Sequence, residues 1–591
     1  MKKMLSILLI LSLAFAVFGG QPILAETGEG SGTSKIGGEG AIVVSVTLAD
    51  DGSIEAIEIL ENNETPGISD AAIEAIPEAI VAEQSLMVDA VAGATYTGDA
   101  IILAVRDALE KMGADVSRFE VEVDTEVEQA EDVLLTADVV VIGAGGAGLT
   151  AAVQAHMNGA SVLVLEKMPK VGGNTILSGG ALNAVDDRSE TAIAMEDSVE
   201  WHYEQTLAGG DFKGIPALVH ILVSRAWDAV EWMKELGMEF VEGEIFTVTG
   251  GLWPRAHKPL EPVGTGFFKT YQAYIDSHDG IDVMLNTKAT DLIMEDGRVV
   301  GVLAEGETGN AVTAMADKGV VMATGGFANS VELRQAFNIQ WADLGPSIPS
   351  TNHPGATGDG IKMLMKVGAD MIQMGFIQLL PIGDPETGSL SGNIEFGVDS
   401  RIFVNKEGNR FVNEGGRRDE MTEALFEQTD NYLWMIMDAD KYPTGEEKNN
   451  FNESINSLIA EGRAFKGETL EELAEQIDVP YDNLKAALDT YNEHCESQEP
   501  DEFGRTIFGT PIDTAPFFAA PRVPTVHHTM GGVHINESAQ VLDENLQCIP
   551  GLFAAGEVTG GIHGANRLGG NALADLLVFG RIAGESAAAG R

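Results

Sequence analysis

The chain is poor in cysteine. Its 591 residues include two cysteines, Cys495 and Cys548, and the sequence contains no CxxC motif. This count excludes a disulfide framework, a cysteine-ligated metal centre and CxxCH attachment of haem. One bridge between the two cysteines stays arithmetically possible. We therefore expect neither a metal site nor haem.

Basic residues are also scarce. The chain has 36 lysines and arginines against 91 aspartates and glutamates, which gives a formal net charge of −55. A nucleic-acid-binding surface needs the opposite charge, as does docking on anionic lipid. The composition therefore excludes nucleic acid as a partner. The length predicts several domains, because single hydrophobic cores rarely grow beyond about 250–300 residues.

The N-terminal apolar run falls short of the roughly 20 residues that a membrane-spanning helix needs. It covers residues 5–18, LSILLILSLAFAVF, after Lys2 and Lys3 and before Ala25, a suitable last residue before cleavage. We predict a signal peptide at 1–25, a Gly/Ser/Glu-rich linker at 26–35, and an exported, extracytoplasmic protein that is secreted or associated with the cell surface. A buried N-terminal helix is the alternative, and it is disfavoured because the run is apolar all round.

A small α+β domain is predicted at residues 36–115. The stretch AIVVSVTLADDGSIEAIEIL alternates apolar and polar residues around a DDG turn, which predicts two paired strands. A helix that ends near Gly113 follows the stretch DAVAGATYTG at 89–98. Residues 116–134, VSRFEVEVDTEVEQAEDVL, are polar and acidic and predict a linker.

The residue pattern changes at residue 138, where the chain reads DVVVIGAGGAGLTAAVQAHMNGASVLVLEK. The run VVVI predicts a buried parallel strand. Gly143, Gly145 and Gly148 follow with G-x-G-x-x-G spacing, and Glu166 ends the next strand. In a complete βαβ unit this pattern is typical of a dinucleotide site, in which backbone amides approach the pyrophosphate and the acid accepts ribose hydroxyls. A strand–helix turn without a ligand is the alternative.

Further glycine-rich segments occur at 172–180, 323–327 and 554–573. Distant segments that return to one site suit a long, extended ligand, so FAD fits better than a nicotinamide. Asp359 could equally cap the helix that follows it, and Glu557 could close a helix start. The residues expected to contact FAD are Gly143, Gly145, Gly146, Ala147, Gly148, Glu166, Lys167, Gly173, Asn174, Thr175, Ser178, Gly179, Gly180, Thr324, Gly325, Gly326, Asp359, His528, Gly556, Glu557, Asn571, Ala572 and Leu573.

The segments VVIGAGGAGL, GGNTILSGG, ATGGF, TNHPGATGDG, VNKEGNRFVNE, HHTMGG and AAGEVTGGIHGANRLGGNAL occur in this order. Together they resemble the soluble fumarate reductase and urocanate reductase flavoproteins, with ketosteroid dehydrogenases as more distant relatives. The resemblance implies an α/β fold. A Rossmann-like FAD-binding domain at 135–345 and 506–591 would carry an inserted α+β capping domain at 346–505 and follow the small α+β FMN-binding domain. FAD is expected to be noncovalent, because GGNTILSGG lacks the histidine to which membrane-bound relatives attach it.

The stretch DAVAGAT at 89–95 resembles the acceptor signature of covalently flavinylated FMN-binding domains. It implies a phosphoester bond from FMN to Thr95, formed by a flavin transferase, with Thr97 as the fallback acceptor. Ala92 stands where that signature usually has Ser or Thr. Without the resemblance, the stretch is a helix N-terminus capped by Thr97 or Asp99. FMN would relay electrons to FAD from an external quinol-linked or flavin-based donor.

The same resemblance implies reduction of a C=C bond beside a carboxylate. Charge that develops on the carboxylate side must be stabilised, so cationic groups are needed there. His527 and Arg567 are expected to bind the carboxylate, with Gly570 beside it, while His528 lies toward the flavin. Structural hydrogen bonds for the histidines and a surface ion pair for Arg567 are the alternatives.

The expected proton donor departs from the family pattern. Relatives place an arginine eight residues before the asparagine of VNKEG, and this position here is Gly397. We assign the role to the nearest arginine, Arg401, with Glu395 or Asp399 either returning its proton or acting instead. A surface ion pair between Arg401 and an acid is an equally good explanation.

The far end of the substrate site also departs from the fumarate reductases. Leu380 replaces their histidine, and Asn393–Ile394 replaces their Thr-Glu pair. Because an unpaired buried carboxylate is costly, we predict that fumarate is a poor substrate. A urocanate- or cinnamate-like enoate used in anaerobic respiration is favoured. A dehydrogenase of the ketosteroid type and a non-enzymatic diflavin electron carrier are the alternatives.

Overall fold

The computed structural model describes residues 26–33, 41–62, 64, 69–88, 95–121 and 129–590. The predicted signal peptide lies outside these ranges. Within them, no helix is both long enough and apolar enough to cross a membrane.

The N-terminal module packs a three-stranded antiparallel sheet, in the order β1-β2-β3, against two helices. Its first strand covers residues that the sequence predicts to be a linker, so the expected boundary at residue 36 differs from the structure. Its elements are β1 (Glu26–Thr33), β2 (Ala41–Leu48), β3 (Ile54–Glu61), α1 (Asp70–Glu83) and α2 (Thr95–Lys111).

Glycines make β1 possible. Gly28, Gly30 and Gly32 share one face of the strand, and α2 lies directly against that face. A Cβ atom on Gly30 would lie 2.1 Å from the carbonyl oxygen of Ala104, closer than any real contact. The glycine-rich composition that suggests a linker is therefore what lets a helix approach the strand at backbone distance.

The module also extends beyond residue 115. Residues Val116–Phe119 form a 3-10 helix, and the Phe119 side chain is buried in the same apolar core as Ile42, Val44 and Leu109. The predicted linker at 116–134 therefore contains a core residue of the module, Phe119, and ends inside the next strand.

The second region is built on an eight-stranded sheet. Four of its neighbouring pairs, β21-β12, β12-β4, β4-β5 and β5-β9, are parallel. Val139–Val141 are fully buried between helical layers, as the run VVVI predicts. The strands of this region are β4 (Val133–Ile142), β5 (Val162–Leu165), β6 (Leu182–Asn183), β7 (Phe240–Phe246), β8 (Ala256–Pro259), β9 (Ile281–Met284), β10 (Lys288–Glu295), β11 (Arg298–Glu305), β12 (Ala311–Met322) and β13 (Met371–Ile372), and after the capping domain β19 (Gly532–Val533), β20 (Gln540–Leu542) and β21 (Cys548–Ala554).

The helices of this region cover the sheet, and α3 and α15 pack against each other. The helices are α3 (Gly146–Met157), α4 (Gly173–Ile176), α5 (Glu190–Ala194), α6 (Val199–Gly209), α7 (Pro216–Glu235), α8 (Thr265–Asp276), α9 (Val331–Phe337), α10 (Asp359–Lys366) and α15 (Asn571–Ala588).

The capping domain is a second, antiparallel sheet with the order β14-β18-β16-β15 and β17 beside β18. Its elements are β14 (Ile377–Gly383), β15 (Ile402–Val404), β16 (Leu433–Asp438), β17 (Phe465–Gly467), β18 (Phe517–Thr529), α11 (Arg418–Phe426), α12 (Ile455–Ala460), α13 (Leu470–Gln476) and α14 (Tyr481–Ser497).

Both predicted limits of the capping domain, 346 and 505, differ from the structure. Helix α10 buries Ile361 and Leu364 in the core of the large sheet, so the chain before β14 belongs to the FAD-binding region. At the other end, β18 pairs with β14 and β16. The capping sheet therefore runs from Ile377 to Thr529.

Candidate active site

One cavity lies where the carboxyl ends of β4, β5, β12 and β21 meet beneath the capping domain. Ligands of open α/β sheets bind at this edge. The predicted residues in its wall are Gly143, Gly145, Gly146, Ala147, Glu166, Lys167, Gly173, Asn174, Thr175, Ser178, Gly179, Gly180, Thr324, Gly325, Asp359, Glu395, His527, His528, Gly556, Glu557, Arg567, Gly570, Ala572 and Leu573.

The first glycine loop opens α3 toward this cavity. Gly143 has φ +100°, and Gly145 and Gly146 line the wall at the positive end of the helix. Gly148 lies behind the wall, where a Cβ atom would be 1.8 Å from the carbonyl oxygen of Gly143. Gly148 therefore permits the close packing of strand and helix, whereas its neighbours leave backbone exposed to a phosphate.

Glu166 closes the second βα turn. Its two carboxylate oxygens accept hydrogen bonds from the backbone N–H groups of Ala144 at 2.7 Å and Met168 at 2.9 Å. Burial raises the pKa of this carboxyl above its ordinary value. The carboxylate is thus held in the cavity wall at the position expected for a ribose partner.

Lys167 links the first strands to the segment TNHPGATGDG. Its Nζ donates to Thr357 and to Asp359, each at 2.8 Å. Burial opposes ionisation of Asp359, but the hydrogen bond and charge of Lys167 outweigh it and lower the pKa. Asp359 both begins α10 and lines the cavity, so its two predicted roles are geometrically compatible.

Glu557 joins three separate parts of the chain at the cavity. It accepts from the Thr529 backbone N–H at 2.9 Å and from Asn174 Nδ2 at 3.2 Å, and burial raises its pKa. Thr324 Oγ1 and His528 Nε2 are buried with no hydrogen-bond partner among the described residues. Such orphaned polar atoms beside a glycine cradle fit a polar cofactor of the length of FAD.

Besides Gly148, two predicted FAD contacts lie outside the wall. A Cβ on Gly326 would be 2.1 Å from Thr529 Oγ1, so that glycine serves packing. The Asn571 side chain is fully buried, and its Oδ1 bonds Asn183 and His202, each at 2.9 Å. Asn571 therefore fixes the start of α15 through bonds on the side away from the cavity.

His527 and Arg567 line the opposite part of the cavity. His527 Nδ1 is 2.7 Å from Thr351 Oγ1, and burial together with nearby arginines holds its pKa well below the ordinary value. Arg567 is buried, its Nε lacks a partner in the described part of the chain, and burial lowers its pKa to about 10. An imidazole and a guanidinium with an unsatisfied Nε donor therefore face the cavity, where they can bind an anion.

Arg418, which the sequence analysis did not select, is a second guanidinium in the wall. It begins α11, and its Nη1 donates to Gln378 Oε1 at 3.0 Å. Burial first, and then the charge of Arg567, lower its pKa well below the usual arginine value. The sequence feature that could have pointed to Arg418 is the RRD sequence directly after VNKEGNRFVNEGG. Of its two arginines, Arg417 is half-buried and forms ion pairs, whereas Arg418 is buried in the core.

Arg401, predicted as the catalytic acid, lies behind the wall instead. It is fully buried and ion-paired with Glu395, and its Nη2 donates to Thr249 Oγ1 at 3.0 Å. Thr249 Oγ1 in turn donates to Glu395 at 2.6 Å. The assignment fails because Arg401, which directly precedes β15, is fully buried, and Glu395 and Thr249 stand between it and the cavity.

Apolar side chains form much of the cap-side wall. Phe246, Val248, Ile382 and Leu390 line the cavity beside Asn393. Leu380, expected to face the substrate, is buried in the apolar core of the capping domain instead.

The expected FMN attachment stretch lies largely outside the described residues. Thr95 begins α2 and its side chain is not described. The alternative acceptor Thr97 lies inside the helix rather than capping it, is buried, and donates to Glu64 at 2.9 Å. That bond makes Thr97 a poor acceptor.

Two domain families match this chain. The model of the FAD binding domain matches residues 138–573, and that of the FMN-binding domain matches residues 37–110. The chain belongs to the family of flavin-dependent oxidoreductases that includes the fumarate and urocanate reductases. The predicted fold class and the two cofactors, FAD and FMN, are thereby confirmed.

Named relatives agree with this family. The NADH:acrylate oxidoreductase of Vibrio harveyi is 36% identical over 96% of this chain, which spans 62% of that protein. The urocanate reductase of Eggerthella lenta is 36% identical, with 96% of this chain and 94% of the relative covered. The open conformation of a flavocytochrome c3 fumarate reductase superposes with a TM-score of 0.61 at 35% identity, covering 77% of this chain and 78% of that one.

Proposed function

We propose that the protein reduces the C=C bond of an α,β-unsaturated carboxylate, with electrons entering at FMN on Thr95 and passing to FAD. The observation that carries the proposal is one cavity whose wall joins the FAD loops to His527, Arg567 and Arg418. When bound, FAD supplies a hydride to the β-carbon of the substrate.

The substrate carboxylate is bound by Arg567 and His527. The Nε of Arg567 has no partner within the described ranges, and His527 is held by Thr351. Arg567 is buried and His527 is half-buried, so their hydrogen bonds to a developing negative charge are little weakened by water. They polarise the double bond and make the β-carbon electrophilic.

Arg418 is the proton donor to the α-carbon. A guanidinium normally holds its proton too firmly for acid catalysis, but burial and the neighbouring Arg567 weaken that hold. The hydride and this proton together convert the C=C bond to CH–CH. Glu395 lines the same cavity and interacts electrostatically with Arg418, so we assign it to return the proton.

The substrate carries one carboxylate and an apolar or aromatic tail. Phe246, Val248, Ile382 and Leu390 would meet the second carboxylate of fumarate, where Asn393 is the polar group among them. Burying a carboxylate against these side chains costs several kcal/mol. The family resemblance and the relatives named for urocanate and acrylate support this class of acid.

The physiological setting is also a proposal. The N-terminal Lys-Lys and apolar run support export, and the FMN-binding domain supports an electron donor outside the FAD domain with a flavin transferase for maturation. An exported reductase of this kind serves anaerobic respiration.

Turnover with a reduced viologen dye tests the substrate class. Purified protein is assayed against acrylate, crotonate, cinnamate, urocanate and fumarate. We expect a monocarboxylic enoate to be fastest and fumarate to be slow. Fastest turnover on fumarate contradicts the substrate class, and full flavin reduction without turnover of any enoate supports the diflavin carrier instead.

A further inference from the structure

Behind the cavity histidine lies a buried, hydrogen-bonded histidine–aspartate pair that the proposed reaction leaves unused. His563 Nε2 is 3.1 Å from Asp575 Oδ2, and both side chains are almost completely buried. Asp575 is in the first turns of α15 and also lines the cavity. A carboxylate so placed brings a negative charge to the edge of the flavin site.

The pair contacts His528 directly. The rings of His528 and His563 meet edge to face, with centroids 5.5 Å apart. Each carries a buried nitrogen without a hydrogen-bond partner in the described residues, Nε2 of His528 and Nδ1 of His563, and Asp575 Oδ1 is likewise unpaired. Orphaned atoms in a buried chain of polar groups are uncommon and call for a ligand or a functional explanation.

The two carboxylates that act on Arg567, those of Glu557 and Asp575, differ in their hydrogen-bond partners. Arg567 faces the cavity, and the negative charges of Glu557 and Asp575 act on it and partly offset the effect of burial on its pKa. Glu557 is bonded to Thr529 and Asn174. Asp575 has His563 as its bonded partner within the described structure.

We propose that Asp575 and His563 are positioning residues that tune bound FAD. Asp575 opposes negative charge on the reduced flavin and so lowers its reduction potential, while His563 donates to Asp575 and holds the ring of His528 in place. The inference depends on FAD binding, which the family establishes, and not on the identity of the substrate.

The test is spectroelectrochemical titration of the full-length holoprotein near neutral pH, with T95A used to identify the FAD wave. Asp575→Asn removes the charge, so we expect reduction of FAD to become more favourable by about tenfold, equivalent to about 30 mV for two electrons. His563→Phe keeps the ring contact but removes the donor. The negative charge of Asp575 then loses its bonded partner, so we expect the FAD potential to shift away from the wild-type value.

Two variants serve as controls. His563→Gln retains a donor for Asp575, so its FAD potential should stay near that of the wild type. Asp370→Asn breaks the comparable pair between Asp370 and His534, 2.9 Å apart and outside the cavity wall, and should leave the potential unchanged.

Equal potentials in wild type, D575N and H563F overturn the proposal. If D575N is purified without FAD, the comparison of H563F with H563Q decides: a shift in potential confined to H563F supports the charge, and equal values in both variants refute it.

Discussion

Arg418 donates from Nε to the backbone carbonyl oxygen of Thr249 at 2.9 Å, while Arg401 donates to the hydroxyl of the same threonine at 3.0 Å. One residue thus separates two buried guanidiniums. Arg418 lies on the cavity side and Arg401 on the interior side. This arrangement indicates that Arg418 takes part in the reaction and that Arg401 has a structural role.

Replacement of Arg418 by Gln should abolish the proton transfer and spare flavin reduction. We expect kcat on the enoate substrate to fall by about 10²–10⁴-fold, the usual contribution of a general acid. Stopped-flow reduction of the flavins by dithionite should be unchanged. Arg417→Gln is the matched control, because Arg417 pairs with Asp211 and Asp419 away from the cavity. Equal losses in both variants would argue against the assignment of Arg418.

Gly148→Ala should prevent FAD binding. The added Cβ would lie 1.8 Å from the Gly143 carbonyl oxygen, so the phosphate loop and α3 must separate. The ratio of FAD to protein, measured by absorbance after acid release, is expected to drop to near zero. Gly98→Ala is the control, since its Cβ would be 3.7 Å from Ile76 in an ordinary contact. Full FAD occupancy in G148A would contradict the tight packing.

Thr95→Ala should remove covalent FMN and leave FAD in place. The phosphoester needs a free hydroxyl, and Thr97 is buried and bonded to Glu64. The intact mass of protein made together with a flavin transferase is expected to fall by one FMN, with loss of flavin fluorescence from the denatured band. Thr97→Val should keep the FMN. Retention of FMN in T95A combined with its loss in T97V would show that Thr97, and not Thr95, is the acceptor.

Glu414 should make the stability of the folded protein depend on pH. It accepts from Arg410 at 2.7 and 2.8 Å and from Arg505 at 2.9 Å. Burial alone would raise the pKa of this carboxyl, but the two arginines overcome it and lower the pKa to about 2. A lowered folded-state pKa stabilises the protein above about pH 4.5, and this contribution is lost as the pH falls toward 2.

Urea unfolding of Glu414→Gln measures that contribution. At pH 7 we expect a loss of about 3–5 kcal/mol, because two buried arginines lose the carboxylate that they share. The difference from wild type should shrink progressively below pH 4.5. Asp489→Asn, which breaks an exposed pair with Lys485, should cost less than about 1 kcal/mol. A difference between wild type and E414Q that is constant with pH would contradict the lowered pKa.

Local patterns account for what could be predicted from the sequence. Gly143, Gly145 and Glu166 lie within one βαβ unit, so their spacing alone places them around a dinucleotide site. The two histidines and Arg567 could be selected from short motifs for the same reason, and the structure brings His527, His528 and Arg567 into one cavity.

The remaining assignments depend on tertiary packing. Arg418 enters the cavity because α11 packs on β14, and Gln378 from that strand fixes its guanidinium. The count back from Asn405 reaches Gly397, and Arg401 is only the nearest arginine, so proximity in sequence does not show whether its side chain faces the ligand. Likewise, no local feature tells that β18 continues the capping sheet as far as Thr529.

The contact between β1 and α2 has a practical consequence. A Cβ atom on Gly30 or Gly32 would lie 2.1 Å from a backbone carbonyl oxygen of α2, so even a methyl group there would push the strand and the helix apart. A segment that appears dispensable by composition therefore contains positions that do not accept a side chain. Affinity tags and substituted leader peptides should end before Glu26.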